Sequence, residues 1–211
     1  MCKRIFLSIV LLYGFFAKAQ YPGYTLLTNS TVFKEQFAAA SLKTNTIQSD
    51  FVQEKNLSML SEKIVSKGKF WFKKENFVRM EYNQPFKYLM ILNNGKVYIK
   101  DAQKENTVSS ASNKLFRQIN NILIDCMKGS ALNNPDFTAR IFEGRQAFLL
   151  ELSPTATNLK DFFQHINIIV DKKDYTATSI EMYEPGGDNT VIHFTNKQLN
   201  STIPDALFTI H

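Results

Sequence analysis

The strongest constraint on this chain is a succession of short segments in which apolar and polar residues alternate. From Ile64 to Lys73, the residues Ile64, Ser66, Gly68, Phe70 and Phe72 fall on one side and Val65, Lys67, Lys69, Trp71 and Lys73 on the other, the period of two that a half-buried strand requires. Ile47 to Gln53 precedes this segment and Phe77 to Tyr82 follows it. Tyr88 to Leu92 and Lys96 to Lys100 flank Asn93-Asn94-Gly95, a sequence that accepts positive φ and predicts a tight hairpin. Strand patterns resume at Asp136 to Phe142, Ala147 to Ser153, Ile166 to Asp171, Thr178 to Glu184 and Val191 to Thr195, punctuated by Pro154 and Pro185-Gly186-Gly187. A short piece, Ala206 to Ile210, closes the chain. Connections of hairpin length predict antiparallel neighbours.

Two stretches carry the helical period instead. After an extended lead from Tyr21 to Asn29, Ser30 is placed to cap a helix with Val32, Phe33, Phe37 and Ala40 on one stripe. Between Ser112 and Gly129, the residues Leu115, Phe116, Ile119, Ile122, Leu123, Cys126 and Met127 form a continuous stripe, with Ser112 as the cap and Gly129 as the stop. The expected fold class is therefore α+β and dominated by one antiparallel sheet. A sheet of so many strands tends to curl, and two amphipathic helices that need an apolar partner fit across its concave face. The expected shape is a half-closed barrel with a helical cover.

The first residues read as a separate unit. Lys3 and Arg4 precede an apolar run from Ile5 to Phe16, and Ala17-Lys18-Ala19 supplies a small-x-small site before Gln20, the pattern of a secretory signal cleaved after residue 19. The expected organisation is a signal peptide over residues 1–19 and a single domain over 20–211. Of 25 Lys and Arg against 19 Asp and Glu, cleavage removes Lys3, Arg4 and Lys18, so the excess of +6 falls to +3. That weak, scattered excess argues against nucleic acid as a partner. Cys2 leaves with the leader, and Cys126 remains as a lone thiol on an apolar stripe, read as core packing.

Catalytic motifs are missing. His165 and His193 lie in strand patterns and His211 at the end, so no paired histidine box offers a metal site. No nucleophile elbow, phosphate-binding Gly loop or dinucleotide fingerprint occurs. The expectation is a protein that is not an enzyme and uses neither metal nor cofactor. What the chain has in excess is 18 Phe, 8 Tyr and 6 Met against one Trp, the material of a core or of an adaptable apolar cavity.

Several segments carry a family resemblance. Phe51-Val52-Gln53, Gly68-Lys69-Phe70-Trp71-Phe72-Lys73-Lys74, Phe77-Val78-Arg79-Met80-Glu81-Tyr82, Pro85 and Asn94-Gly95-Lys96-Val97-Tyr98 resemble, in order and spacing, the outer-membrane lipoprotein carrier family LolA. Phe148 to Pro154, Ile166 to Asp171 and Gly187 to Phe194, with Asn196, Asn200 and Phe208, continue the match. The resemblance implies an unclosed, strongly curved antiparallel barrel with an amphipathic helical lid. It also implies a periplasmic, monomeric shuttle that takes acylated lipoproteins from an inner-membrane ATP-driven exporter to the outer membrane and, where one exists, to a receptor there.

Carried onto this sequence, the first helix and the Leu115 to Met127 helix form parts of the lid. The family's Lys-Arg-Pro stretch matches Lys73-Lys74-Glu75, which gives Lys74 the lid-closing position, although a Lys lacks the forked donors of Arg. Arg79 occupies the family's Phe-Arg-Trp-x-Tyr-like segment and is the second lid-closure candidate, its plain structural reading being an ion pair with Glu81. The expected lipid-binding set is Phe70, Phe72, Met80, Tyr82, Ile91, Leu115, Phe116, Ile119 and Leu123. Charging Phe72 or Ile119 to Glu is expected to abolish acyl binding and leave the fold intact. The competing readings are a free-lipid or glycolipid binder and an envelope-stress sensor built on the same barrel, which fold alone does not separate from a carrier.

Overall fold

The computed structural model describes residues 20–74, 76–93, 95–100, 105–109, 122, 124, 125 and 127–210; the leader segment lies outside them. Among the described residues, twelve strands form one antiparallel sheet. In chain order they are β1 (Tyr24–Leu26), β2 (Thr46–Asn56), β3 (Ile64–Lys73), β4 (Phe77–Gln84), β5 (Tyr88–Asn93), β6 (Lys96–Lys100), β7 (Glu105–Ser109), β8 (Phe137–Gly144), β9 (Ala147–Pro154), β10 (His165–Asp171), β11 (Ala177–Tyr183) and β12 (Asn189–Leu199). Helix α1 (Thr31–Lys43) follows β1, and residues 122, 124, 125, 127 and 128 are helical. The spatial order is β1-β8-β9-β10-β11-β12-β2-β3-β4-β5-β6-β7, so the sheet stays open, with β1 and β7 at its edges.

The first long strand lies beside the last. β2 pairs with β12 through Phe51 opposite Phe194 and Gln53 opposite Ile192, and this seam joins two meanders, β8 to β12 and β2 to β7, with β1 added at the β8 edge. Register shifts at Lys67/Gly68, Ile169/Val170 and Thr195/Gln198 bend the strands as bulges do. The curvature gathers Val97 of β6 and Phe137 of β8 into one buried cluster with Phe51, Phe70, Met80 and Leu150.

The extended lead contains a three-residue edge strand, β1, and a further strand, β7, pairs with β6. Glu105-Asn106-Thr107-Val108-Ser109 holds a single apolar residue, so its sequence carries no alternation and its strand state comes from the neighbour's backbone. At the chain end, Asp205–Phe208 is a 3-10 turn rather than a strand. Ser30 stands at the start of α1 without a side-chain cap bond; the Asn29 carboxamide oxygen accepts from Thr31 N at 3.1 Å instead.

α1 buries Phe33 and Phe37 and leaves Val32 exposed. The Phe33 ring lies 4.5 Å from that of Phe148 on β9 and 5.4 Å from that of Phe37, which sets the helix on the concave face. Gly129, at φ +69°, ends the second helical stretch as its sequence predicts. A Cβ there would fall 2.7 Å from the Ser41 Cβ, so only glycine lets the two helical segments approach this closely.

Gly68 is tighter still. A Cβ added there would collide with the Glu81 carbonyl and stand 2.8 Å from the Phe51 ring. Overpacking of this kind costs about 1–3 kcal/mol or more, so Gly68→Ala is expected to lower the unfolding free energy by that amount, read as a lower urea midpoint at unchanged m-value. An unchanged midpoint would show that β3 can shift away from Phe51.

Candidate functional site

The concave face of β2 to β6 is a graded surface. At the level of Ile47, Phe72, Val78, Leu92 and Val97 follow across the sheet. One rung on, Ser49, Phe70, Met80, Met90 and Ile99 occupy the same register. The third rung is Phe51, Gly68, Tyr82 and Tyr88, an aromatic ladder with ring separations of 4.9 Å for Phe51–Tyr82 and 5.3 Å for Tyr82–Tyr88, both edge to face. Glycine at position 68 makes room for the Phe51 ring in that ladder. Beyond it the Tyr82 hydroxyl donates to Gln53 Oε1 at 2.9 Å. Burial, and secondarily the charge of a neighbouring Tyr88, pushes the Tyr82 phenol well above its ordinary range, so it is a neutral donor at any physiological pH.

The two ends of this face differ. At the Ile47 end, the C-terminus of α1 closes over the sheet: Lys74 Nζ donates to Leu42 O at 2.9 Å, and Thr44 Oγ1 donates to Ala40 O at 3.0 Å, a cation and a hydroxyl on the exposed carbonyls of a helix end. At the Gln53 end, the connections at 57–63 and 85–87 leave Met59 95% and Phe86 77% exposed. A cleft of about 500 Å³ lies at this end of β4 and β5 on the convex side, where Arg79, Glu81, Leu89 and Lys100 line it together with Asn83 and Lys87.

Of the expected lipid-facing residues, Phe70, Phe72, Met80 and Tyr82 are brought together on this face, and all but Tyr82 are fully buried. Ile91 is not among them. Met80 pairs with Met90 and Arg79 with Ile91, so the parity of β5 sends Met90 and Leu92 inward and Ile91 to the convex side. There it packs with Trp71, Tyr98, Ile203 and Phe208 in a second buried cluster. The error was one of register: placing Tyr82 opposite Tyr88 would have assigned the inward residues, but β5 is apolar on both faces and shows no alternation of its own. Leu115, Phe116, Ile119 and Leu123 lie outside the described residues. Their stripe partners Ile122 and Met127 are buried in the main cluster.

The lid-closure candidates separate as well. Lys74 meets α1, as described. Arg79 lies on the convex face, where its Nη2 stands 2.9 Å from Glu81 Oε2, its Nη1 donates to Leu207 O at 3.0 Å, and its guanidinium lies 5.7 Å from the Trp71 ring centroid. Its donors therefore hold the C-terminal segment rather than a helix, together with Asn93, whose Nδ2 donates to Phe208 O, and the Lys73–Asp205 ion pair. The earlier expectation that Phe72 can be charged without loss of the fold also fails, because none of its surface is exposed.

A second polar group sits on the convex face of β8 to β11. Glu151, 3% exposed, accepts from Arg140 Nε at 2.9 Å and Nη2 at 2.5 Å, from the Tyr21 hydroxyl and from Gln20 Nε2. Burial opposes its ionisation, but the hydrogen bonds from Tyr21 and Arg140 and the guanidinium charge outweigh it and hold the carboxyl below its usual range. His165 stacks on Tyr183 at 4.4 Å, and burial lowers its pKa against the pull of Glu151 and Glu181. This network ties the segment before β1 to the sheet. Among the described residues, no group of three or more His, Cys, Asp or Glu is arranged to hold a metal ion.

An open antiparallel sheet with an apolar concave face, crossed by an aromatic helix, is the geometry implied by the sequence resemblance. The profile of the family described as "Outer membrane lipoprotein carrier protein LolA" matches residues 42–211. The chain belongs to the LolA family. No curated protein matches it.

Among solved structures, a LolA superfamily protein of Nitrosomonas europaea is 10% identical, with 87% of this chain and 99% of that one covered and a TM-score of 0.46. The MucA/MucB complex of Pseudomonas aeruginosa gives 13% identity, 84% and 59% coverage and a TM-score of 0.49. The lipoprotein LppX of Mycobacterium tuberculosis gives 8%, 81% and 94%, and 0.45. The LolA match covers every element from β2 onward, and so includes the whole graded face.

Proposed function

We propose that this LolA family member is a periplasmic carrier without catalytic activity, which takes the acyl chains of lipoproteins onto its concave face and moves them from an inner-membrane ATP-driven exporter toward the outer membrane. The observation that carries this reading is the largely apolar surface of β2 to β6, deep at Phe72, broken on its inner two rungs by the Ser49 hydroxyl and ending at Gln53, in a sheet that does not close. A chain of about sixteen carbons costs on the order of 12 kcal/mol to expose to water, so an acylated protein needs such a surface to cross an aqueous compartment. Met80 and Met90 face each other in the middle of it. Their flexible thioethers let the packing reorganise around a ligand without a fixed complementary shape.

The test is release from membranes. Purified residues 20–211 incubated with spheroplasts of the host are expected to bring a triacylated lipoprotein into the supernatant as a one-to-one complex, with the lipid unaltered. No release by folded protein, with the exporter shown to be active, would replace the carrier reading with free-lipid binding, which extraction of bound lipid would then identify. Chemical alteration of the lipid would replace it with an enzyme.

A further inference from the structure

Resting on the carrier reading, we infer that Gln53, oriented by Tyr82, is the specificity determinant that holds the carbonyl of an ester or amide linkage joining the acyl chains to their headgroup. The axis of the concave face sets the direction of a bound chain. Its Ile47 end is closed by the C-terminus of α1 through Lys74 and Thr44, and every inward residue of the first rung is apolar. Its Gln53 end lies between the 57–63 and 85–87 connections, where Met59 and Phe86 are exposed. Terminal methyl groups therefore point toward Phe72 and linkage atoms toward Gln53.

At that depth the ligand presents carbonyl oxygens, which accept hydrogen bonds and donate none. The protein presents the matching group. A carboxamide has one acceptor oxygen and two N–H donors, and the 2.9 Å bond from Tyr82 fixes Gln53 Oε1 as the acceptor, which turns the amide donors away from the tyrosine. Tyr82 is itself held by the edge-to-face contacts with Phe51 and Tyr88, so the amide is oriented before a ligand arrives. The chemistry is that of a neutral linkage. Lys55, the next residue toward the rim on this face, stands 3.9 Å from Glu184 in a solvent-exposed pair, so the group nearest the aromatic ladder is the uncharged carboxamide.

The experiment compares two lipids that differ only in those oxygens. Displacement of a bound hydrophobic dye is measured with 1,2-dipalmitoylglycerol and with 1,2-dihexadecylglycerol, the ether analogue that lacks both carbonyls. The native protein is expected to prefer the ester about fivefold, the effect of one neutral hydrogen bond. Gln53→Glu keeps the acceptor for Tyr82 and removes the donors; Gln53→Leu removes both. Each variant is expected to lose the preference for the ester, read as the ratio of its affinities for the two lipids. A preference unchanged in both variants, or absent from the native protein, overturns the assignment. Displacement by neither lipid overturns it too and places the failure in the carrier reading itself.

Discussion

Phe72→Glu is expected to yield no folded protein at all. The side chain has no exposed surface and packs on the deepest rung of the concave face, opposite Ile47 and Val78. A carboxylate there would be buried among apolar neighbours without a partner, and it would either ionise at a cost of several kcal/mol or stay protonated with its hydrogen bonds unmade. Either outcome removes more than about 4 kcal/mol, a large part of the about 5–15 kcal/mol that holds a domain together. Phe72→Leu, which keeps the site apolar and nearly full, is expected to cost only about 1–2 kcal/mol. Near-ultraviolet circular dichroism and urea unfolding of the pair separate the two. A cooperatively unfolding Phe72→Glu protein would mean that this face opens to water in the resting molecule.

Arg140→Met is expected to cost about 3 kcal/mol at pH 7 and distinctly less near pH 5. The Arg140 side chain is half exposed, but removing its guanidinium leaves the buried Glu151 carboxylate without a cation, and a buried charge left uncompensated costs about 3–5 kcal/mol. The lower end applies because Tyr21 and Gln20 still donate to Glu151. The native Glu151 carboxyl is held below its ordinary range, so its contribution is complete above the unfolded value and is lost only as pH falls through the lower folded one. In the variant the guanidinium is gone and burial acts with less opposition, which raises the folded pKa. Protonation then relieves the buried charge, and the deficit shrinks as pH falls. Urea unfolding at the two pH values measures this. A deficit equal at both would assign the role of Arg140 to its packing over the Phe142 ring, 5.5 Å away, rather than to its charge.

Alternation made most of the sheet legible before any coordinates. Ile64 to Lys73 is β3 to the residue, with Phe70 and Phe72 inward and Trp71 outward. Alternation reports only a segment that has one wet face, and three places lack that property. β5 is apolar on both sides, so Ile91 was assigned inward when it is Met90 and Leu92 that face the core. β7 holds one apolar residue, Val108, and carries no alternation. The clasp of Arg79 and Asn93 on the C-terminal segment joins residues 128 and 115 positions apart, a distance over which no local pattern carries information.

By itself, the sequence determined the fold class, the antiparallel pairing of neighbouring strands, the helical period of α1 and membership of the LolA family. These follow from short-range sterics and from the partition of side chains between water and an interior, which act within a few residues of each position. Only the tertiary structure decided that β2 lies against β12, that a second core covers the convex face, and that Tyr82 meets Gln53 across 29 positions of chain. Those contacts depend on strand register and on the curvature of the whole sheet, which are set by bulges, by the closeness that Gly68 permits and by the sum of packing around a common core.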